Sequence, residues 1–226
     1  CSIDIIKKYN NYITWWCSEK DNGQTDAINK GMRKATGDIV GWINSDDVLI
    51  PGALFVIANF FQSHKDCEFA NGVVLNIDKN DCVLKFTHII MNKFFMKHGC
   101  YNIAQQGMFW QKGLFQKLGY LNETFHAKMD VEWLIRNYEN KTRVMLLDKP
   151  IGAIRVYAET KTAMGGIIWE NDARKIREMY GGYYSPQKYN IFSPLFYFYK
   201  LMKGVYLKNW LWGMKYKGKS YRNIKL

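Results

Sequence analysis

Two adjacent carboxylates, Asp46 and Asp47, follow a short apolar run with β-branched residues that extends from Ile39 to Ile43. Such a run predicts a buried strand, and the C-terminal ends of strands are where open α/β sheets bind ligands. Neighbouring carboxylates repel each other, so a site that gathers them favours a cation such as Mg²⁺ or Mn²⁺, with diphosphate oxygens completing its shell. Residues 44–47 also have the composition of a turn, and from these four residues alone both interpretations stay open.

The flanking sequence predicts the elements that position this pair. Residues 23–26 are typical of a loop and helix start, and Gly37 is expected to cap the C-terminus of that helix. One face of the helix is predicted to carry three apolar residues, Ile28, Met32 and Ala35. Downstream, Pro51 is predicted in the first turn of a second helix, whose apolar body extends through Phe61. The acidic pair is therefore expected between a buried strand and a helix start.

Another carboxylate, Asp130, precedes a run with helical periodicity. The apolar positions of that run are Val131, Leu134, Ile135 and Tyr138. Their spacing places Asp130 at or just before the first helical turn. There a carboxylate caps the helix or interacts favourably with its dipole. From the local sequence, the capping interpretation is preferred.

The chain resembles the family 2 inverting glycosyltransferases, which have the type A nucleotide-sugar fold. The resemblance is carried by residues 21–31, 35–38, 41–47 with 51–54, 104–110, 118–123, 125–136 and 154–162. The resemblance implies an α/β fold, a Rossmann-like mixed sheet flanked by helices. It also implies transfer of a sugar from a nucleoside-diphosphate sugar to an acceptor hydroxyl with inversion, in the synthesis of a surface polysaccharide or glycolipid.

The resemblance also implies roles for individual residues. Asp47 and Asp46 are the ligands expected for Mn²⁺ or Mg²⁺, and Asp130 is the expected general base. Donor binding is expected at Asp21, Gly23, Asn29, Asn44, Asp46, Arg155 and Lys161. Acceptor binding is expected at Gln105, Gln106, Trp110 and Glu132.

Several of these positions have a simpler alternative. Gln105, Gln106 and Trp110 also fit a strand with one aromatic side chain in the core. Arg155 and Lys161 also fit solvated surface cations. The chain departs from the family where Tyr157 stands in place of a common histidine. Because protonated tyrosine is a poor ligand for hard cations, water and phosphate are expected to fill that position, or metal dependence to be weaker.

The beginning of the chain is expected to correspond to a helix after the family's first two strands. On that expectation, roughly fifty residues of a typical relative precede this point, including an aspartate that reads the nucleotide base. The resulting organisation is a catalytic domain over residues 1–165, lacking its N-terminal strands, and a basic, aromatic helical extension over residues 166–226.

The extension concentrates the positive charge of the chain. Nine Lys or Arg and no acidic residue occur in residues 187–226, and they account for most of the formal net charge of +12. Basic residues interleaved with aromatics suit the surface of an anionic membrane, where a lipid-linked acceptor is found. A helical subdomain with a solvated basic face is the alternative for the extension. For the whole chain, the alternatives are a catalytically inactive module and a nucleic-acid-binding protein, although no nucleic-acid recognition motif is visible.

The five cysteines are odd in number and have no Cys-x-x-Cys spacing. Reduced thiols are their simplest state, which predicts a cytoplasmic location, at the inner face of the plasma membrane if the extension binds lipid.

Overall fold

The computed structural model describes residues 2–90, 92–156, 166–181 and 186–226. Its helices are α1 (Ser2–Lys8), α2 (Gln24–Lys34), α3 (Ala53–Ser63), α4 (Lys93–Lys97), α5 (Gly113–Leu118), α6 (Met129–Glu139), α7 (Ile167–Tyr180), α8 (Pro186–Met202) and α9 (Val205–Tyr216). Its strands are β1 (Ile39–Val40), β2 (Val48–Leu49), β3 (Phe69–Ile77), β4 (Val83–Thr87), β5 (Met108–Gln111) and β6 (Val144–Arg155). Short 3-10 turns lie at Asn10–Tyr12, Gln105–Gly107 and Tyr221–Asn223.

The strands form one mixed sheet in the order β1-β5-β3-β6-β2. β3 and β6 are parallel, whereas the other pairs are antiparallel. β4 pairs with the second half of β3, beyond the point where β5 ends. Helices flank this sheet, so the predicted arrangement of a mixed sheet with helices is confirmed.

The elements around the acidic pair differ from the prediction in three places. The first strand contains only Ile39 and Val40, because the chain leaves the sheet at Gly41, where a Cβ atom would lie 2.8 Å from the Met108 carbonyl oxygen. The prediction that Pro51 lies within the first turn of α3 is wrong, since the helix begins at Ala53 after Gly52, whose φ of +84° is left-handed. The predicted cap at Gly37 is also wrong, because α2 ends at Lys34 with Ala35 as its C-cap.

The core consists of two large clusters of buried side chains. One surrounds the parallel pair β3 and β6 and includes Leu75 and Ile151. The other packs α6 against β5, with Trp110 and Trp133 fully buried and their ring centroids 5.6 Å apart. Fully burying one such side chain contributes about 1.5–3 kcal/mol or more, so the second cluster fixes α6 on the sheet.

Three helices, α7, α8 and α9, make up most of the described segment after residue 165. Ile176 of α7 belongs to the same core cluster as α6, and Tyr216 of α9 belongs to the cluster around β3. The division into residues 1–165 and 166–226 remains a prediction. Within the described residues, no helix has both the length and the apolar character needed to span a bilayer.

Candidate functional site

Asp47 is buried immediately before β2 and accepts hydrogen bonds on both carboxylate oxygens. Oδ2 accepts from Gln106 Nε2 (2.6 Å) and Asn44 Nδ2 (3.1 Å), and Oδ1 accepts from the backbone N–H of Arg155 (3.1 Å). Burial raises the pKa of this carboxyl, whereas the bond from Gln106 opposes the rise. Asp46 lies in the preceding turn and is half-buried. Asp47 is thus held rigidly, and Asp46 is the more accessible member of the pair.

The start of α2 is joined to the acidic loop by Gln24, the first residue of the helix, whose Nε2 donates to Asn44 Oδ1 (3.1 Å). Asp21 forms a local turn by accepting from the backbone N–H of Gly23 (2.9 Å). Gly23 has a φ of +113°, so a side chain here would be strained. Asn44 therefore contacts both the predicted donor loop and Asp47.

The start of α2 also contacts the segment that leads to Asp130. Thr25 Oγ1 donates to the carbonyl oxygen of Phe125 (2.6 Å), and both residues are buried. A Cβ atom at Gly23 would lie 3.5 Å from Nδ1 of His126. The N-terminal end of α2 thus connects the acidic loop with the approach to α6.

Asn29 faces the interior of the protein. It is 1 % exposed, donates to the Leu121 carbonyl (2.9 Å) and to Glu123 Oε1 (2.8 Å), and accepts from the N–H of Leu121 (3.1 Å). Its amide therefore joins α2 to the loop after α5. Donor binding by Asn29 stays a prediction, and in this conformation the side chain is used within the fold.

Arg155 lies beside the acidic pair at the end of β6. Its guanidinium donates to the carbonyl oxygens of Asp46 (3.1 Å) and Asp78 (2.9 Å) and pairs with Asp81 (2.8 Å). Asp81 has a φ of +68° and a pKa that Arg155 lowers. Because all three guanidinium nitrogens are engaged, Arg155 organises the acidic loop as folded. Tyr157 and Lys161 lie outside the described residues.

Gln105 and Gln106 line the inner side of this loop in a 3-10 turn before β5. Gln105 Nε2 donates to the Trp42 carbonyl, and Gln106 Nε2 donates to Asp47. Within the described part of the chain, the Oε1 atoms of both glutamines are buried without a hydrogen-bond partner. Trp110 is fully buried in the aromatic core, so its described contacts are those of a core residue.

Asp130 is the second residue of α6 and so lies in the first helical turn, as predicted. Its side chain is half-buried. Its Oδ1 accepts from the N–H of Val131 (2.8 Å). Burial raises the pKa of the carboxyl, although the Val131 N–H and the charge of Lys128 oppose the rise. Lys128 is buried, with Nζ 4.2 Å from the ring centroid of Trp169, and burial lowers its pKa. A carboxylate with a raised pKa has the property that a general base requires.

The segment before Asp130 is fixed by Asp172 of α7, a residue whose role was not predicted from the sequence. Asp172 is 1 % exposed, and its Oδ2 accepts the N–H groups of His126 (2.9 Å), Ala127 (2.7 Å) and Lys128 (3.1 Å). Three hydrogen bonds to one buried charge make a strong attachment. No local signal identifies this role, since at least 44 residues separate Asp172 from the segment.

Glu132 is placed differently from Asp130, although both lie in the first turn of α6. It is 1 % exposed, is bound in bidentate fashion by Arg136 (2.8 and 3.0 Å), and accepts from the Tyr180 hydroxyl (2.5 Å). Its carboxylate therefore joins α6 to α7. Acceptor binding by Glu132 stays a prediction, and it would require these contacts to open.

A metal would have an all-oxygen environment at this site. Among the described residues, no three or more His, Cys, Asp or Glu side chains form a metal-binding group. Gln106 nevertheless donates a hydrogen bond to Asp47 through Nε2, and the Oε1 atom of the same side chain has no hydrogen-bond partner among the described residues. Since Mg²⁺ and Mn²⁺ prefer oxygen and need only one or two protein carboxylates when phosphates are present, the residues fit such an ion.

Comparison with known proteins connects this geometry to a family. The family described as "Glycosyl transferase family 2" matches residues 2–129. "PGL/p-HBAD biosynthesis glycosyltransferase" proteins of Mycobacterium bovis and Mycobacterium tuberculosis are each 26% identical over 133 residues, covering 56% of this chain and 48% of theirs. The chain thus spans about half the length of these curated relatives.

Solved structures of S. aureus TarS share the fold. The structure of TarS 1-349 in complex with UDP-GlcNAc has a TM-score of 0.56 at 17% identity, covering 78% of this chain and 53% of TarS 1-349. Another TarS structure has a TM-score of 0.53 at 19% identity, covering 78% of this chain and 31% of that one. The predicted type A glycosyltransferase-like fold is confirmed by this similarity.

Proposed function

Since the chain belongs to glycosyl transferase family 2, we propose that it takes part in the transfer of a sugar from a nucleoside-diphosphate sugar to an acceptor hydroxyl, with inversion. The observation that carries this proposal is the position of the α2 start. It contacts the acidic loop through Gln24 and Asn44, and it contacts the segment before Asp130 through Thr25 and Phe125. Donor and acceptor chemistry would meet at that junction.

The donor is proposed to bind along the loops at Asp21, Gly23, Asn44 and Asp46. TarS, which shares this fold, has been solved in complex with UDP-GlcNAc, and that complex supports a nucleotide-sugar donor here. A divalent metal is proposed at Asp47, with Asp46 and donor phosphates as further ligands. When bound, such an ion offsets the diphosphate charge and so assists its departure.

Asp130 is proposed as the general base. Its carboxylate would remove the proton from the acceptor hydroxyl while the acceptor oxygen forms a bond to the anomeric carbon. On the opposite side, the bond between that carbon and the diphosphate oxygen breaks, and the nucleoside diphosphate leaves with the electron pair. A single displacement of this kind inverts the anomeric configuration, and Asp172 and Lys128 would hold Asp130 in place.

The acceptor is proposed to be a glycan or a lipid-linked sugar used in surface glycolipid or polysaccharide synthesis. The names of the mycobacterial relatives, biosynthetic glycosyltransferases, support this class. Gln105 and Gln106 are proposed to take part in acceptor binding, and their Oε1 atoms have no hydrogen-bond partner among the described residues. The proposed location is the cytoplasm, in peripheral contact with the inner face of an anionic membrane.

The test is calorimetric titration of UDP, and then GDP, into this chain and into a longer form that includes any preceding segment, with and without Mn²⁺. Metal-dependent binding that disappears in Asp47→Asn is the expected result. Ser45→Ala is the matched control, because Ser45 is an exposed residue of the same loop. Absence of nucleotide binding by both forms would overturn the proposal, whereas binding by the longer form alone would place an essential part of the site outside this chain.

A further inference from the structure

Helix α8 leaves a continuous row of apolar side chains in solvent. Ile191, Leu195, Phe198 and Met202 are 70%, 49%, 58% and 69% exposed. They follow one another at intervals of four, three and four residues, which places them on one face of the helix. The same helix buries Phe196, which packs on Phe95 with the ring centroids 5.1 Å apart. α8 is therefore held to the protein on one side and is apolar on another.

Helix α9 repeats this arrangement. Its exposed row consists of Leu207, Trp210, Leu211 and Met214, which are 59%, 58%, 48% and 63% exposed. Its packed side includes Trp212, whose ring lies 5.3 Å from that of Phe86 on β4. We call these two rows together the apolar face of α8 and α9. Isolated exposed apolar residues are ordinary, but two helical rows on neighbouring helices indicate a surface that contacts something apolar.

The segment that contains this face carries charged side chains of positive sign only. Residues 187–226 contain no Asp or Glu. Among the described ion pairs, Lys208 binds Asp148 and Arg222 binds Asp81, while no described carboxylate lies within ion-pair distance of Lys203 or Lys215. These cations therefore remain available to an anionic partner.

We propose that the apolar face of α8 and α9 lies in the interface of a membrane that carries anionic lipids, with the neighbouring lysines at the level of the headgroups. An apolar helix face with Trp and flanking Lys is the pattern of helices that lie in the membrane plane. The positive charge supplies attraction to anionic headgroups that a neutral surface would not. A partner protein would need a complementary acidic and apolar surface, whereas an anionic bilayer has both properties.

This inference deepens the proposed function, because a lipid-linked acceptor would then lie near the site. The test involves no transfer reaction, so the membrane inference and the proposed function can each fail independently of the other. The purified chain is sedimented with vesicles of phosphatidylcholine alone and with vesicles containing about one third phosphatidylglycerol. We expect binding to the anionic vesicles to be tighter by about tenfold or more and to weaken in high salt.

Two double variants identify the surface. Leu207→Ser with Trp210→Ser should weaken binding to anionic vesicles by about tenfold or more, because it removes apolar area from the interface. The matched control is Leu54→Ser with Phe55→Ser on α3, whose side chains are 64% and 79% exposed. The control should bind as the unmodified chain does. All three proteins should have the same circular dichroism spectrum, since the substituted side chains are exposed.

Four results would overturn the inference. The first is no preference for anionic over neutral vesicles. The second is an equal loss of binding in both double variants, which would remove the assignment to α8 and α9. The third is sedimentation velocity showing a dimer that Leu207→Ser with Trp210→Ser dissociates, since a second copy of the chain would then cover the face. Tight, salt-sensitive binding to single-stranded RNA without vesicle binding would likewise favour nucleic acid over lipid.

Discussion

Replacing Asp172 by Asn tests whether the attachment of α7 to residues 126–128 holds the proposed base, Asp130, in position. The substitution keeps one oxygen that can accept hydrogen bonds but removes the charge from a side chain that is 1 % exposed. Bonds to a charged group contribute about 1.5–3 kcal/mol each and neutral ones about 1 kcal/mol. With three backbone N–H groups bound, we expect a loss of about 2–4 kcal/mol in the free energy of unfolding. The melting temperature should fall by roughly 4–16 °C.

The effect on transfer should exceed what destabilisation explains. Freed amides at His126, Ala127 and Lys128 would let the start of α6 shift, and a displacement of about 1 Å costs up to about a hundredfold in rate. We therefore expect kcat to fall by about ten- to a hundredfold, with KM for the donor and UDP binding nearly unchanged. Steady-state kinetics at a temperature well below the transition measures this difference.

Hydrogen exchange at the three amides provides a second measurement, and Glu178→Gln provides the control. Glu178 is an exposed carboxylate on the same helix, so its amide variant should change neither exchange nor kcat. The reasoning is refuted if Asp172→Asn opens the three amides to exchange while kcat stays normal. It is also refuted if the fall in kcat disappears once kcat is calculated per folded molecule, because a general loss of folded protein lowers apparent kcat without changing KM.

Other perturbations have equally specific outcomes. Asp130→Asn should stop transfer and leave nucleotide binding within about twofold of the unmodified protein. In the unmodified enzyme, kcat should rise with pH until the pH exceeds the raised pKa of Asp130, because the base must be deprotonated. A kcat that does not change with pH would argue against this base. Gly107→Ala should destabilise the fold by about 1–3 kcal/mol, since its Cβ would lie 2.6 Å from Asn71 Oδ1. Gly113→Ala is the control, because a Cβ there has no atom within 4 Å; equal melting temperatures would contradict the packing argument. Arg155→Lys should lower stability by about 1–3 kcal/mol, measured by urea unfolding, because an ammonium cannot reproduce the three directions of the guanidinium; an unchanged midpoint would mean that water replaces the lost bonds.

Local patterns were sufficient for features that depend on near neighbours along the chain. The periodicity of residues 131–138 predicted α6 and the place of Asp130 in its first turn. Likewise, Ile28 and Met32 indicated the packed face of α2. The strand before Asp46 was predicted too long because its end depends on contact with β5, which the local sequence does not contain.

The use of each carboxylate was decided by tertiary contacts. Asp130 and Glu132 lie two residues apart in one helical turn, yet Glu132 alone pairs with the Arg136 guanidinium and accepts a hydrogen bond from a hydroxyl of α7 among the described residues. Asp172 lies on another amphipathic helix and became an anchor because three distant N–H groups point at it. By itself, the sequence determined the place of α6, the packed face of α2, the order of the motifs and the family they resemble. Only the folded structure determined which acidic groups are bound internally, because hydrogen bonds and burial depend on residues far apart in the chain.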